Sequence, residues 1–80
     1  MQVNELNTKI TFDVPFDGGM VTCTVLAEAL RYLTKNDAYK LSRDQLVSAF
    51  IVNKPVIRAA AMKELELGVD EVILTASCFS

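Results

Sequence analysis

From Ile10 onward the chain alternates between apolar and polar positions. Ile10, Phe12 and Val14 are apolar, and Thr11 and Asp13 between them are polar. That two-residue period predicts a half-buried strand over residues 9–14. Residues 15–19 read Pro-Phe-Asp-Gly-Gly, with the paired glycines Gly18 and Gly19 expected to supply the positive φ angles of a hairpin turn. A second strand over 20–25 then puts Val21, Cys23 and Val25 on one face and Met20, Thr22 and Thr24 on the other. The two runs form one antiparallel hairpin.

The period then changes to that of a helix. Leu26, Ala29, Leu30 and Leu33 share a stripe, with Glu28, Arg31 and Lys35 opposite. Residues 35–37 end this helix. Ser42 and Gln45 have capping-box spacing and open a second helix over 43–52. Asn53 and Lys54 break it, and Pro55 suits the first turn of a third helix, where its missing N–H costs nothing. Ile57, Ala61 and Leu65 are the buried stripe of that helix, with Ala60 beside it. Gly68 stops it as a C-terminal cap. Residues 71–76 predict a last strand with Val72, Leu74 and Ala76 on one face. The expected order is ββαααβ: an α+β fold with a small antiparallel sheet covered on one face by three helices. Residues 1–80 form a single domain, with 1–8 as a flexible lead-in.

Composition narrows the function classes. An 80-residue chain has room for one core only, and 51% hydrophobic residues make it globular. The net charge of -2 argues against a phosphate-binding footprint, so nucleic acid is a disfavoured partner. No histidine and two cysteines leave little for metal ligation or proton transfer. The start of the chain is polar (Gln2, Asn4, Glu5, Asn7), unlike an export signal. No apolar stretch approaches the roughly 20 residues of a membrane span. A cytoplasmic protein without a membrane contact is the expectation.

Candidate chemistry is sparse. Glu64, Glu66, Asp70 and Glu71 are the densest acidic group, but their spacing is not that of a calcium loop and reads as a solvated surface. Cys23 is the thiol to test as a nucleophile, although its alternation with Val21 and Val25 points it into the core, where it would be inert. Cys78 lies near the C-terminus, and no Cys-x-x-Cys spacing pairs it with Cys23. Gly18 and Gly19 lie between strands, not ahead of a helix as a phosphate loop requires. The third helix carries Ala59, Ala60, Ala61, Glu64 and Glu66 where a DNA-reading helix would carry donors. No spacing in the chain justifies a cofactor, a metal or a catalytic residue.

The second helix is apolar nearly all round. Leu46, Ala49 and Phe50 make one stripe, which leaves Val47 and Ile51 on another. Either the neighbouring helices cover both sides, or Val47 and Ile51 form an exposed patch that docks another protein or a second copy. Tyr32 and Tyr39 suit the rim of such a patch.

The residues Gly19, Val21, Cys23, Val25, Glu28, Ala29 and Leu30, followed by Leu46, Phe50, Asn53, Lys54, Ile57 and Ala61 and closed by Val72, Ile73 and Leu74, carry a likeness. The chain resembles a family of small bacterial proteins grouped as a domain of unknown function, with a Val-x-Cys-x-Val-x-x-Glu-Ala-Leu pattern. That family often has Ser where this chain has Leu26, and Pro55 is outside its pattern. The resemblance implies a small fold and a bacterial or phage setting, with no reaction to transfer.

Three expectations about function result. The first is a non-catalytic interaction module that binds itself, as a homodimer, or a partner protein. A specific version is a phage-encoded inhibitor of a bacterial defence complex such as a CRISPR effector, with Asp37, Asp44, Glu64 and Glu66 as its acidic surface. The second is a thiol-dependent or redox protein using Cys23, and the third is a subunit with a purely structural role in a larger assembly.

Overall fold

A computed structural model describes residues 1–36 and 40–80. Four strands, β1 (Gln2–Val3), β2 (Lys9–Phe16), β3 (Gly19–Leu26) and β4 (Ile73–Leu74), form one sheet in the order β1-β2-β3-β4. Three helices, α1 (Ala27–Thr34), α2 (Arg43–Val52) and α3 (Lys54–Glu66), lie between β3 and β4 in the chain, and a 3₁₀ turn, Ala76–Phe79, ends it. Ile10, Phe12, Val14, Cys23, Val25 and Leu74 are buried on one sheet face. Against them pack Leu30, Leu46, Phe50, Ile57 and Leu65 from the helices. The Phe12 and Phe50 rings meet at 5.2 Å between centroids, tilted by 56°, and tie α2 to β2.

The α+β class holds, but the sheet is mixed, and three details depart from the sequence reading. First, residues 1–8 are not a loose lead-in. Gln2 and Val3 pair antiparallel with Thr11 and Ile10, and Val3 is buried. Asn4 fastens the intervening loop: its Oδ1 accepts the N–H groups of Thr8 (2.7 Å) and Lys9 (3.1 Å), and Nδ2 donates to Thr8 Oγ1 (2.6 Å). Second, β4 runs parallel to β3, pairing Thr24 with Ile73 and Val25 with Leu74, and is two residues long. Ala76 belongs to the 3₁₀ turn. Parallel neighbours need a crossover connection, and the three helices are that connection. Third, the hairpin turn is Asp17 and Gly18, with φ of 51° and 81°, while Gly19 is already in β3 opposite Phe16. Two positive φ values in a two-residue loop make a turn whose twist matches the strands. Pro15 is therefore within β2. Its missing donor points away from β3, beyond the reach of β1, where a sheet tolerates proline.

The helix ends follow their local chemistry. In α1, Leu26 has no capping side chain; the Ala27 N–H donates to the Thr8 carbonyl instead, at 2.8 Å. The Ser42–Gln45 capping box on α2 is formed in both directions, at 3.2 and 2.9 Å. Asn53 closes α2 and leads directly into α3, donating from its Nδ2 to the Ala49 carbonyl at 2.9 Å. Gly68, with φ of 86°, ends α3: its N–H donates to Leu65 O and the Val69 N–H to Glu64 O. The same pair of bonds ends α1, from Lys35 to Tyr32 O and from Asn36 to Arg31 O. There the left-handed position is held by Lys35, at φ 56°.

A side chain in that conformation works against the fold, so Lys35→Gly is expected to stabilise the protein by about 0.5–1 kcal/mol, raising the melting midpoint by roughly 3–6 °C. Gly18→Ala should lower the midpoint. An added Cβ meets nothing within 4 Å, so the loss reports the backbone conformation alone. Thermal denaturation followed by circular dichroism measures both.

Candidate functional site

The apolar second helix divides unevenly between core and solvent. Leu46, Ala49 and Phe50 are buried. Val47 is half-buried and packs against the core. Ile51, expected to share its fate, is 60% exposed, and Val52 is 73% exposed. Val56, in the first turn of α3, is 44% exposed. Around the junction of α2 and α3 the exposed apolar side chains are thus Ile51, Val52 and Val56, in place of Val47 and Ile51; others, such as Leu6, Met20 and Leu67, are exposed elsewhere. Val52 and Val56 were missed because the helical stripe through Val47 and Ile51 looked like the one surplus stripe. The run Ala49-Phe-Ile-Val52 was the usable signal: four consecutive apolar residues span more of a helix than one sheet face can cover.

The remaining sequence candidates are scattered. Tyr32 is exposed on α1, whereas Tyr39 and Asp37 lie outside the described residues. Asp44 is exposed in the first turn of α2, where a carboxylate suits the helix dipole. Glu64 is half-buried and Glu66 exposed in the last turn of α3. No group of three or more Cys, Asp or Glu residues is close enough to hold a metal ion among the described residues. No helix among them is long and apolar enough to cross a membrane.

Both cysteines are free thiols. Cys23 has no exposed surface and points Sγ toward the Val21 carbonyl at 3.7 Å. Burial pushes its pKa up from 9.0, and the negative charge of Asp13 adds to the rise. Both effects keep the thiol protonated, opposite to what a nucleophilic cysteine needs. Cys78 is exposed in the 3₁₀ turn, with the Thr75 N–H directed at its sulfur at 3.4 Å.

Open clefts lie on either side of α1. One, of about 480 Å³, is lined by Thr8, Leu26, Glu28 and Arg31 among others. Another, of about 650 Å³, lies between α1 and the 3₁₀ turn. Neither brings a nucleophile together with a base. In comparisons with known proteins, no protein family, curated protein or solved structure matches this chain.

Native alkylation with iodoacetamide, read by intact mass, is expected to add one label quickly, at Cys78. A second, at Cys23, should appear only in denaturant. The raised Cys23 pKa also has a sign for stability: the neutral thiol suits the fold, so this contribution is intact below the ordinary thiol pKa and is lost as pH rises through the higher folded value.

Proposed function

We propose that the protein is a non-catalytic interaction module of bacterial or phage origin, acting by binding a partner protein or a second copy of itself. The observation that carries this reading is the exposed apolar corner of Ile51, Val52 and Val56. Scattered apolar side chains are ordinary on a protein surface, but adjacent ones on two consecutive helices are the kind of surface that docking covers. The scattering of ionisable groups agrees with a binding role, since no constellation for proton transfer or nucleophilic attack is assembled among the described residues. A thiol-dependent activity gains no support from Cys23, which is buried and held protonated.

Ile51→Glu/Val52→Glu tests the reading. Both side chains are mostly in solvent, so the variant should fold with stability within about 0.5 kcal/mol of the parent. Light scattering of the purified chain and capture from bacterial lysate should then show a dimer or a stoichiometric partner for the parent and neither for the variant. Equal association by parent and variant would remove the reading. Val47→Glu is the contrast: it places a charge against the core and should destabilise the domain by about 1–3 kcal/mol.

A further inference from the structure

A separate cleft of about 280 Å³ lies between β2, the start of β3 and the beginning of α3. The buried Phe12 and Phe50 underlie it, the exposed Met20 forms part of one wall, and Lys54 and Arg58 project from α3, with Asp13 also at its lining. The volume is slightly below the roughly 300–1,000 Å³ of small-molecule sites. It suits one bulky side chain better than a cofactor.

The charges around it are arranged against the fold's own interest. Lys54 opens α3 and Arg58 follows four residues later, on the same side of the helix, while the first turn has no acidic residue. The N-terminal end of a helix already carries about half a positive charge, so cations there are unfavourable and carboxylates favourable. At the other end of α3, Glu64 and Glu66 meet the negative pole. Neither Lys54 nor Arg58 forms an ion pair among the described residues. Asp13, the acidic residue of the lining, accepts a hydrogen bond from Thr22 Oγ1 at 2.8 Å. Two exposed cations beside a cleft of mixed polarity, whose apolar part is Phe12, Pro15, Met20 and Phe50, are complementary to a negative group with an apolar neighbour.

We infer that this cleft docks a short acidic segment of a partner protein, with one bulky apolar side chain in the cleft and an adjacent Asp or Glu carboxylate between Lys54 and Arg58. The inference rests on the interaction-module reading and gives the partner its chemistry.

Random 12-residue peptides displayed on phage are selected against the full chain, and the enriched peptides are titrated by fluorescence polarisation. Enriched peptides should pair Phe, Leu or Met with Asp or Glu. Their affinity should fall at least tenfold in Lys54→Glu/Arg58→Glu and in the neutral Lys54→Gln/Arg58→Gln, and also in 0.5 M salt. Lys54→Glu/Arg58→Glu should melt at or above the parent, since acidic residues suit that helix end, which separates lost binding from lost folding. Enrichment without acidic residues, affinity unchanged in both double variants, or preferential binding of a thymidine oligonucleotide would overturn the inference. Peptides insensitive to Lys54→Glu/Arg58→Glu but lost on Ile51→Glu/Val52→Glu would overturn the cleft alone and leave the interaction module standing. No enrichment, with a parent chain that also fails to associate in light scattering and capture, would overturn both.

Discussion

The register of the β2–β3 hairpin decides which side chains this protein can bury. Ile10 faces Val25, Phe12 faces Cys23 and Val14 faces Val21, which places the apolar members of both strands on one side. A slip of one residue would turn Lys9, Thr11 and Asp13 toward the helices and Phe12 toward water. The Asp17-Gly18 turn prevents the slip, because a two-residue loop with both φ angles positive permits one pairing of its flanks, Phe16 with Gly19. Everything added later uses this ribbon. β1 borrows Ile10 and Thr11 on one edge, β4 borrows Thr24 and Val25 on the other, and the helices lie on the apolar face.

Where one chemical signal sufficed, the fold was legible in the sequence. Alternation located both long strands, the Ser42–Gln45 spacing located the start of α2, and Gly68 located the end of α3. The misses have physical causes. A two-residue strand such as β1 has no period to detect, and what fixes it is the side chain of Asn4 bonding across its own loop. The Asp-Gly-Gly string offered two turn registers, and only the pairing partner of Phe16 distinguishes them. The direction of β4 was not legible, because a helical crossover permits a parallel return without requiring one. Nor was its shortness, because Ala76 fits the apolar alternation of a strand and the first position of a 3₁₀ turn equally well.

The candidate surface was half legible for a related reason. A helical wheel reports which residues share a side, but not which neighbour covers that side. Val47 and Ile51 share one, yet Val47 packs against the core, while Ile51 lies a turn further on and stays open. Val52, the last residue of α2, is open as well. Exposure therefore depends on where each helix runs out of neighbours, a tertiary property.

An 80-residue chain with 51% hydrophobic residues has more apolar side chains than a four-stranded sheet and three short helices can enclose. Part of the surplus, such as Leu6, Met20, Leu67 and Ile73, is exposed elsewhere on the surface, and Ile51, Val52 and Val56 lie where α2 passes into α3 through Asn53 alone. That junction constrains the chain in two ways. Asn53 must close one helix and begin the next, so the backbone there is rigid, and the side chains around it are held without a flexible loop. Lys54 and Arg58 begin on the same junction, so apolar and cationic surfaces are both carried by one stiff corner. Binding loses least entropy when the groups it uses are already fixed. A corner of this kind tolerates electrostatics that do nothing for the helix, because burial of Ile57, Ala61 and Leu65 against the sheet holds α3 in place regardless. The core supplies the stability, and the exposed side chains of the corner add little to it.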